Sequence, residues 1–352
     1  MINHSFILKV NKNNLLKNYF FFKKIKKNLI VAPVIKANAY GLGDREIFKL
    51  LVLNKCKHFF VATLEEGIRL KNRNKQIKIY ILNGIQDNDI IFFIKNKLIP
   101  IVNTKDELKL VIKNKIRFGI HIDTGINRLG LKLEDITSSI FSNPYIDIVI
   151  SHLSSADESK NSYNSIQNNK FSKIAKKFFN NNIIFSLSNS NGSVLSCSYL
   201  YNMIRPGIGL YGGTNKNKYF KKNLKPVVTL KGKIIQIKTI NKHEYVGYNQ
   251  TYKTKIKTKI AIIGVGYADG IPRNLSNKGI VYLGKSKFKI IGRISMDSFT
   301  INISKSKHNL KVGQFVDLIN HNYGIENFAD QCNTISNEVI TSIGQRAKII
   351  YE

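Results

Sequence analysis

The feature that most limits the fold is a regular alternation of short apolar runs with amphipathic stretches over the first two thirds of the chain. The intervening stretches, such as residues 45–55 (REIFKLLVLNK) and 105–114 (KDELKLVIKN), are typical of amphipathic helices. Strands that alternate with helices favour parallel βα units, and eight such units close naturally into a (β/α)8, TIM-like barrel. The eight strand-like runs are LIVAPVI, HFFVAT, IKIYILN, IPIVN, IRFGIHID, IDIVISH, NIIFSLS and NMIRPGIGLYG.

The pattern changes near Lys225-Pro226. From there the chain consists of short β-branched runs broken by Gly and Asn, including VVTLKGKIIQIKTI, IAIIGVGYADG, FKIIGRISMD and GQFVDLIN. Closely spaced strands without long helical connectors predict an antiparallel or mixed β domain. A last helical stretch is expected over residues 335–348 (ISNEVITSIGQRAK). We therefore predict a barrel domain over residues 11–222 and a β-rich domain over 223–352, which also takes the N-terminal strand 1–10.

Length and composition limit the class of protein. A chain of 352 residues is sufficient for two domains with sizeable cores. No apolar run approaches the roughly 20 residues that cross a bilayer. The start, MINHSFILKVNKNN, lacks the apolar core of a signal peptide, so a cytoplasmic protein without a membrane partner is expected. Three cysteines without paired spacing predict free thiols and no metal site.

A net charge of +34 raises the possibility of a nucleic-acid partner. The lysines are scattered through segments such as KNRNKQIK and YKTKIKTK, mixed with Asn, Ile, Phe and Tyr, all of which have A/T-rich codons. A nucleic-acid surface would instead show a clustered basic stripe with stacking aromatics. The composition therefore favours codon bias over a specific nucleic-acid site.

The segment VAPVIKANAYGLG places Lys36 at the end of the first predicted strand, where barrel enzymes carry functional groups. A buried lysine has a lowered pKa, and its neutral amine attacks carbonyl groups. Phosphate is often held by the loops after the last two barrel strands, here residues 189–193 (NSNGS) and 205–209 (RPGIG). A lysine and a phosphate cup together indicate pyridoxal phosphate, although a lysine that extends to solvent would fit this segment equally well.

Nine segments together resemble bacterial alanine racemase, a fold-type III pyridoxal-phosphate enzyme. They cover nearly the whole chain, and KANAYG, GYADG and GRISMD in that order are highly specific. The segments are VAPVIKANAYGLG, HIDTGINRLG, SHLSSADE, SNSNGS, NMIRPGIGLYG, VGYNQTY, VGYADGIPR, GRISMD and TISNEVITSIGQR.

The resemblance implies racemisation of L- and D-alanine, which supplies D-alanine for cell-wall peptidoglycan. Lys36 would carry pyridoxal phosphate and act as one base, and Tyr267 would be the other base on the opposite face of the substrate. Racemisation needs two opposed bases because a proton leaves one face of the α-carbon and arrives on the other. The family is a head-to-tail homodimer in which this tyrosine enters the partner's site.

The resemblance also implies roles for eight further residues. His152 matches the histidine that bonds the catalytic tyrosine, and Arg205 matches the residue that faces the pyridine nitrogen. Because an arginine keeps its proton, the cofactor ring would be a weaker electron sink than in transaminases. The remaining matches are Tyr40, Ser190, Gly207 and Ile208 for the phosphate, and Arg128 and the backbone N–H of Met296 for the substrate carboxylate.

Two positions depart from the family pattern. Asn337 stands where the family usually has a tyrosine that binds phosphate and narrows the entrance. His121 stands where some relatives carry a carbamylated lysine near the family arginine. Histidine cannot form that carbamate, so Arg128 must be oriented in another way. We expect a wider entrance and some activity on serine.

Other functions remain open at this point. A broad-spectrum amino-acid racemase is the main alternative, because the width of a pocket cannot be inferred from sequence. A basic amino-acid decarboxylase of this fold usually has a cysteine-aspartate motif in its β domain, and GRISMDSFT has no cysteine. A non-catalytic pyridoxal-phosphate carrier would resemble the barrel alone.

Overall fold

A computed structural model describes residues 4–71, 76–178 and 182–352. The chain forms two compact units. The barrel unit comprises Leu16–Leu210 and Lys216–Leu224, and the β unit comprises the chain up to Leu15, Tyr211–Asn215 and Lys225–Glu352. The first two elements are strand β1 (Phe6–Val10) and helix α1 (Lys12–Lys24). No helix within the described ranges is long and apolar enough to cross a membrane.

The barrel unit contains eight short strands whose neighbours are parallel. Strands β3 to β8 pair in chain order, and β2 pairs with β9. The ring closes because Val34 bridges Phe60 beside β3, and because the Arg205 N–H donates to the Ser188 carbonyl at 2.9 Å beyond β8. The predicted barrel and its eight strands are confirmed. The strands are β2 (Ile30–Val31), β3 (His58–Val61), β4 (Lys78–Ile81), β5 (Ile99–Val102), β6 (Phe118–His121), β7 (Ile146–Ile150), β8 (Ile184–Ser186) and β9 (Met203–Ile204).

Helical segments separate the barrel strands, as the amphipathic pattern predicts. Thr63 and Glu66 form a reciprocal capping box at the start of α4, and the Thr104 side chain caps α6. The predicted helices over residues 45–55 and 105–114 are confirmed as α3 and α6. The helical segments are α2 (Lys36–Tyr40), α3 (Asp44–Leu53), α4 (Leu64–Leu70), α5 (Ile90–Asn96), α6 (Lys105–Lys113), α7 (Ser138–Phe141), α8 (Tyr163–Phe178) and α9 (Lys218–Asn223).

The amino ends of the barrel strands are joined by a network centred on the buried carboxylate of Asp147. Asp147 accepts hydrogen bonds from Tyr80 Oη at 2.8 Å, Lys78 Nζ at 2.6 Å and Arg117 Nη1 at 3.0 Å. The ring of His58 lies 3.1 Å from the Tyr80 hydroxyl. This network links β3, β4 and β7 with the residue that precedes β6.

The β unit is a mixed sheet in which six strands form a closed ring. β10 is long and bulged between Ile234 and Gln236, and it pairs with both β13 and β17. The ring order is β10, β13, β16, β15, β14 and β17. β1 pairs antiparallel with β10 and parallel with β18. The elements are β10 (Val228–Ile240), β11 (Tyr245–Val246), β12 (Tyr252–Lys253), β13 (Thr258–Ile263), β14 (Ile280–Leu283), β15 (Ser286–Ile291), β16 (Phe299–Asn302), β17 (Phe315–Ile319), α10 (Ile325–Cys332), α11 (Ser336–Thr341) and β18 (Lys348–Tyr351).

The helix predicted over residues 335–348 is shorter than expected. α11 ends at Thr341, and β18 begins at Lys348. The helix ends early because the following residues form β18, which pairs in parallel with β1 and places Leu8 opposite Ile349. The Gly344 N–H donates to the Asp269 carbonyl at 3.0 Å at the change of direction. Tertiary pairing here overrides local helical propensity.

Candidate active site

Lys36 begins α2 at the carboxyl end of β2, and this segment is a turn of the opposite hand to an ordinary helix. Four successive residues, Ala37–Tyr40, have φ between +51° and +57°. For residues with a Cβ this conformation costs roughly 1–2 kcal/mol each. Such strain persists only where surrounding contacts enforce it, and it concentrates at functional sites.

Glu66 supplies the contacts that hold this turn. One carboxylate oxygen accepts the Ala37 N–H at 2.6 Å, and the other accepts the Ala62 N–H at 2.7 Å. Asn38 adds a side-chain bond, since its Oδ1 accepts the Asp44 N–H at 3.0 Å. The Glu66 carboxylate therefore links Ala37, directly after Lys36, to Ala62, directly after β3.

The electrostatic environment favours a neutral amine at Lys36. Burial lowers the pKa of Lys36, and the positive charge of Arg128 lowers it further, against a smaller opposing effect of Glu66. A larger fraction of the side chain is therefore unprotonated than for a lysine in water. This is the form that acts as a nucleophile or a base.

Backbone donors converge at the loops after β8 and β9. The buried Ser190 hydroxyl oxygen accepts the N–H groups of Gly207 at 3.0 Å and Gly209 at 3.1 Å. A side chain at Gly207 would overlap the Tyr40 hydroxyl, so only glycine allows this approach. Burial raises the pKa of Tyr40 to about 12, so its hydroxyl stays a donor at neutral pH.

Arg205 is 5% exposed and follows β9. Its Nη1 donates to the Ser186 carbonyl at 2.7 Å, and its Nη2 donates to the Ser151 carbonyl. Burial lowers the pKa of Arg205 to about 9, which leaves the guanidinium protonated at neutral pH. Because these acceptors are neutral, the positive charge of Arg205 is not balanced by them, and it lowers the pKa of His152 and of His121.

His152 lies two residues after β7. Burial and the positive charges of Arg205 and Arg128 lower its pKa well below the ordinary value, so its imidazole is neutral at pH 7. Gln167 fixes the backbone here, since its Nε2 donates to the His152 carbonyl at 3.0 Å and its Oε1 accepts the Ser154 N–H at 2.9 Å. A neutral imidazole can accept a hydrogen bond from a hydroxyl group.

Tyr267 and Met296 lie together in the β unit. The Tyr267 N–H donates to the Ser295 carbonyl at 3.1 Å, and the Ala268 N–H donates to the Met296 carbonyl at 3.0 Å. The side chains of Tyr267 and Met296 are 44% and 53% exposed. Both residues therefore lie on adjoining loops at the surface of this unit.

An arginine fastens these two loops together. Arg346 Nε donates to Asp269 at 2.9 Å, and its Nη1 donates to Asp297 at 2.7 Å. Asp269 also accepts the Gly266 N–H at 2.8 Å through its other oxygen. Arg346 thus links Asp269, two residues after Tyr267, to Asp297, the residue after Met296.

Two sequence models account for almost the whole chain. That of the alanine racemase N-terminal domain matches residues 10–215, and that of the alanine racemase C-terminal domain matches residues 227–351. The chain belongs to the alanine racemase family. Together the matches include Lys36, Arg128, His152, Arg205, Tyr267 and Met296.

Individual alanine racemases support the assignment. The chain is 39% identical to that of Rickettsia bellii over 92% of its length and 82% of the relative, and 35% identical to that of Rickettsia canadensis over 98% of both. The crystal structure of the Bartonella henselae enzyme, with covalently bound pyridoxal phosphate, superposes with a TM-score of 0.93 at 31% identity and covers 99% of both chains. The biosynthetic enzyme of Pseudomonas aeruginosa gives 0.91 at 25% identity over 99% of both.

Against this family pattern, the barrel unit brings together the predicted residues near Lys36, whereas Tyr267 and Met296 belong to the β unit. Three residues that position them were not predicted from the sequence: Glu66, Gln167 and Arg346. A signal existed for Glu66, because Thr63 and Glu66 have the spacing of a capping box. Arg346 lies far from Asp269 in the sequence, so only the fold reveals their pairing.

Among the described residues, no group of three or more His, Cys, Asp or Glu could hold a metal ion.

Proposed function

We propose that this chain interconverts L- and D-alanine with pyridoxal phosphate, using Lys36 and Tyr267 as bases on opposite faces of the substrate α-carbon. The observation that carries the proposal is the left-handed turn after β2, which holds Lys36 at the carboxyl end of the barrel. Its environment lowers the lysine pKa, as both cofactor attachment and proton transfer require. In this role the chain supplies D-alanine for peptidoglycan in the cytoplasm.

The donors around Ser190 fit a phosphate group. The Ser190 hydroxyl accepts two N–H groups, which leaves its own proton to donate to a third atom. We assign the phosphate to Ser190, Tyr40 and the backbone of Gly207 and Ile208. The absence of a side chain at Gly207 gives Tyr40 its close approach. Exchange of Lys36 for the substrate amine on pyridoxal phosphate would free the lysine to act as a base, and the cofactor would then supply the electron withdrawal that makes the α-proton of the amino acid acidic.

The charge of Arg205 suits a racemase. It remains a cation at neutral pH and has donors but no acceptor. Beside the cofactor's pyridine nitrogen, Arg205 would keep its proton, and this would limit how strongly the cofactor withdraws electrons. We assign Arg205 this role, which disfavours side reactions that need a long-lived carbanion.

The two bases divide the proton transfer. The neutral Lys36 amine removes or returns the α-proton on one face, and the Tyr267 oxygen does so on the other. A tyrosine ordinarily keeps its proton until about pH 10, so it needs an acceptor to serve as a base. We assign that role to the neutral imidazole of His152. Arg128 and the Met296 N–H hold the substrate carboxylate.

A homodimer would complete the site. Lys36 belongs to the barrel unit, and Tyr267 and Met296 are exposed on the β unit. We propose that these two residues of one subunit enter the barrel site of the other. Mixed dimers of a Lys36→Ala chain and a Tyr267→Phe chain should then regain activity, because one of their two sites has both bases.

The test uses purified protein loaded with pyridoxal phosphate. We expect the visible absorbance of lysine-bound cofactor and formation of D-alanine from L-alanine. Lys36→Ala should lose both, and Tyr267→Phe should keep the absorbance and lose racemisation by roughly 10²–10⁴-fold. Absorbance without alanine turnover in the parent chain would contradict the proposed substrate.

Asn337 supports a broader substrate range as the second candidate function. Its amide is smaller than the tyrosine of the family pattern, and its Oδ1 is buried without a hydrogen-bond partner among the described residues. A wider entrance would admit serine. Serine turnover below detection in an alanine-active enzyme would exclude this candidate.

A further inference from the structure

The ring of His121 carries a buried hydrogen-bonding atom that lacks a partner. His121 ends β6 at the carboxyl end of the barrel and is 5% exposed. Its Nδ1 lies 3.1 Å from Asn103 Oδ1. Its Nε2 is buried and has no hydrogen-bond partner among the described residues. A buried polar atom in this condition requires an explanation, since most are satisfied.

The tautomer of His121 follows from its neighbour. Asn103 Nδ2 donates to the carbonyls of Leu82 at 3.0 Å and Ile101 at 2.9 Å, so its Oδ1 faces the ring as an acceptor. Nδ1 of His121 must then carry the proton. Burial and the charge of Arg205 lower the His121 pKa to about 4, so the ring is neutral at pH 7. Nε2 is therefore a bare lone pair that needs a donor.

Three charged groups shift the pKa of this ring, namely Arg205, Asp123 and Arg128. Asp123 is an acceptor, and its Oδ1 already receives N–H groups of the following loop. Both terminal nitrogens of Arg205 are engaged by carbonyl groups. Arg128 is exposed and makes no hydrogen bond to the described residues. It is the cation whose donors are available to Nε2.

The loop that carries Arg128 returns to the ring of His121. The Leu131 N–H donates to the His121 carbonyl at 2.8 Å, and the Asp123 N–H donates to the Leu131 carbonyl at 2.9 Å. A Cβ built on Gly130 would lie 3.2 Å from His121 Cγ, so the backbone two residues after Arg128 lies against the imidazole. The loop thus returns to the imidazole within two residues of Arg128.

We propose that His121 is a positioning residue whose Nε2 accepts an N–H of Arg128 and orients the guanidinium toward the substrate carboxylate. The inference rests on the proposed function of Arg128 as the carboxylate-binding residue. A guanidinium has five donors in a fixed plane, so one N–H can bind the imidazole while the others bind a carboxylate. A neutral acceptor leaves the full positive charge of Arg128 for the substrate.

The first test leaves His121 in place. Full-length protein with ¹⁵N-labelled histidine, loaded with pyridoxal phosphate, is compared with its Arg128→Leu variant by long-range ¹H–¹⁵N correlation. We expect the Nδ1–H tautomer at His121 in both proteins. The Nε2 resonance should move downfield in Arg128→Leu, as its hydrogen bond is lost. An unchanged Nε2 resonance overturns the proposal. Arg117→Leu, which removes an arginine at the amino end of the barrel, is the matched control and should leave this resonance unchanged.

The second test separates positioning from structural support. His121→Phe keeps a planar ring without the acceptor, and His121→Gln restores an acceptor. We expect His121→Phe to raise KM for L-alanine about tenfold, which is ~1.4 kcal/mol, with kcat within about twofold and the cofactor absorbance intact. His121→Gln should return KM most of the way to the value of the parent chain. Unchanged kinetics, or equal losses of kcat and cofactor in both variants, would overturn the proposal.

The two tests distinguish a failure of this inference from a failure of the proposed function. A downfield shift of Nε2 in Arg128→Leu, in a protein that does not racemise alanine, would support the His121–Arg128 pair and refute the substrate. If His121→Phe does not fold, the NMR comparison alone decides.

Discussion

The two ends of the barrel use similar side chains in opposite ways. At the amino end, Asp147 collects Lys78, Arg117 and Tyr80, so opposite charges are paired. At the carboxyl end, Arg128 and Arg205 are cations that lower the pKa of neighbouring groups. The first arrangement stabilises the fold. The second keeps charge and donors available for an anionic cofactor and substrate, as expected where catalytic residues extend from strand ends.

The histidines show the same contrast. His58, at the amino end, lies beside the Tyr80 hydroxyl within the Asp147 network. His121, at the carboxyl end, has one nitrogen bonded and the other without a partner among the described residues. Burial lowers the pKa of both to about 4. Each ring has one hydrogen bond at Nδ1, so the difference between them is that His121 has a second nitrogen that is buried without a partner among the described residues.

Removal of the central carboxylate should have the largest effect on stability. Asp147→Ala leaves Lys78 and Arg117 without their anion at the amino end of the barrel. Because the two cations are 29% and 58% exposed, the main loss is the acceptor of the buried Tyr80 hydroxyl, which typically costs ~1–3 kcal/mol. We expect a fall of that size in the free energy of unfolding, measured by urea denaturation, with kcat/KM of the folded protein within about twofold. A loss of activity without a loss of stability would contradict the assignment of the amino end of the barrel to stability and the carboxyl end to ligand binding.

The two histidines should make the protein less stable in mild acid. Each titrates at about 6.5 when unfolded and at about 4 when folded, so the unfolded state binds more protons between these values. The stabilisation is complete above about pH 6.5 and is lost as the pH falls toward 4, with a slope approaching 1.4 kcal/mol per pH unit for each histidine. Urea denaturation across this range measures the slope. His58→Phe should lower this slope by the contribution of one histidine. An unchanged slope would show that His58 is not buried as a neutral ring.

The smallest expected effect is that of a methyl group added at Gly207, in the loop after β9 that we assign to the phosphate. Gly207→Ala forces a Cβ onto the Tyr40 hydroxyl, so we expect pyridoxal phosphate to bind about tenfold more weakly, which is ~1.4 kcal/mol. Absorbance titration with the cofactor measures the change. Gly324→Ala is the matched control, since its added Cβ would lie 3.9 Å from the nearest atom. Equal affinity in the two variants would remove Gly207 from the phosphate site.

Much of the barrel could be predicted from sequence because its strands are buried runs that alternate with helices. All eight runs contain strands at the predicted places. The last helix was predicted too long, because the pairing of β18 with β1 depends on a strand almost the length of the chain away. Local pattern contains no information about such a partner.

The candidate site was predictable in its residues and less so in its geometry. Taken alone, Tyr267 would be interpreted as a buried strand aromatic and Arg205 as a surface charge. In the structure Tyr267 is exposed and Arg205 is buried among carbonyl groups. The left-handed turn after Lys36 was not predicted, because Ala37 and Ala39 have no preference for positive φ and Glu66 imposes it from another helix.

The most direct test of the account is the fate of the α-hydrogen. L-alanine is incubated with the holoenzyme in ²H₂O, and the D-alanine formed early in the reaction is examined by mass spectrometry. Two opposed bases remove the hydrogen on one face and deliver a solvent deuteron on the other, so we predict that the D-alanine carries deuterium. D-alanine that retains the original hydrogen would mean that one base serves both faces, and it would contradict the assignment of Lys36 and Tyr267 as a pair.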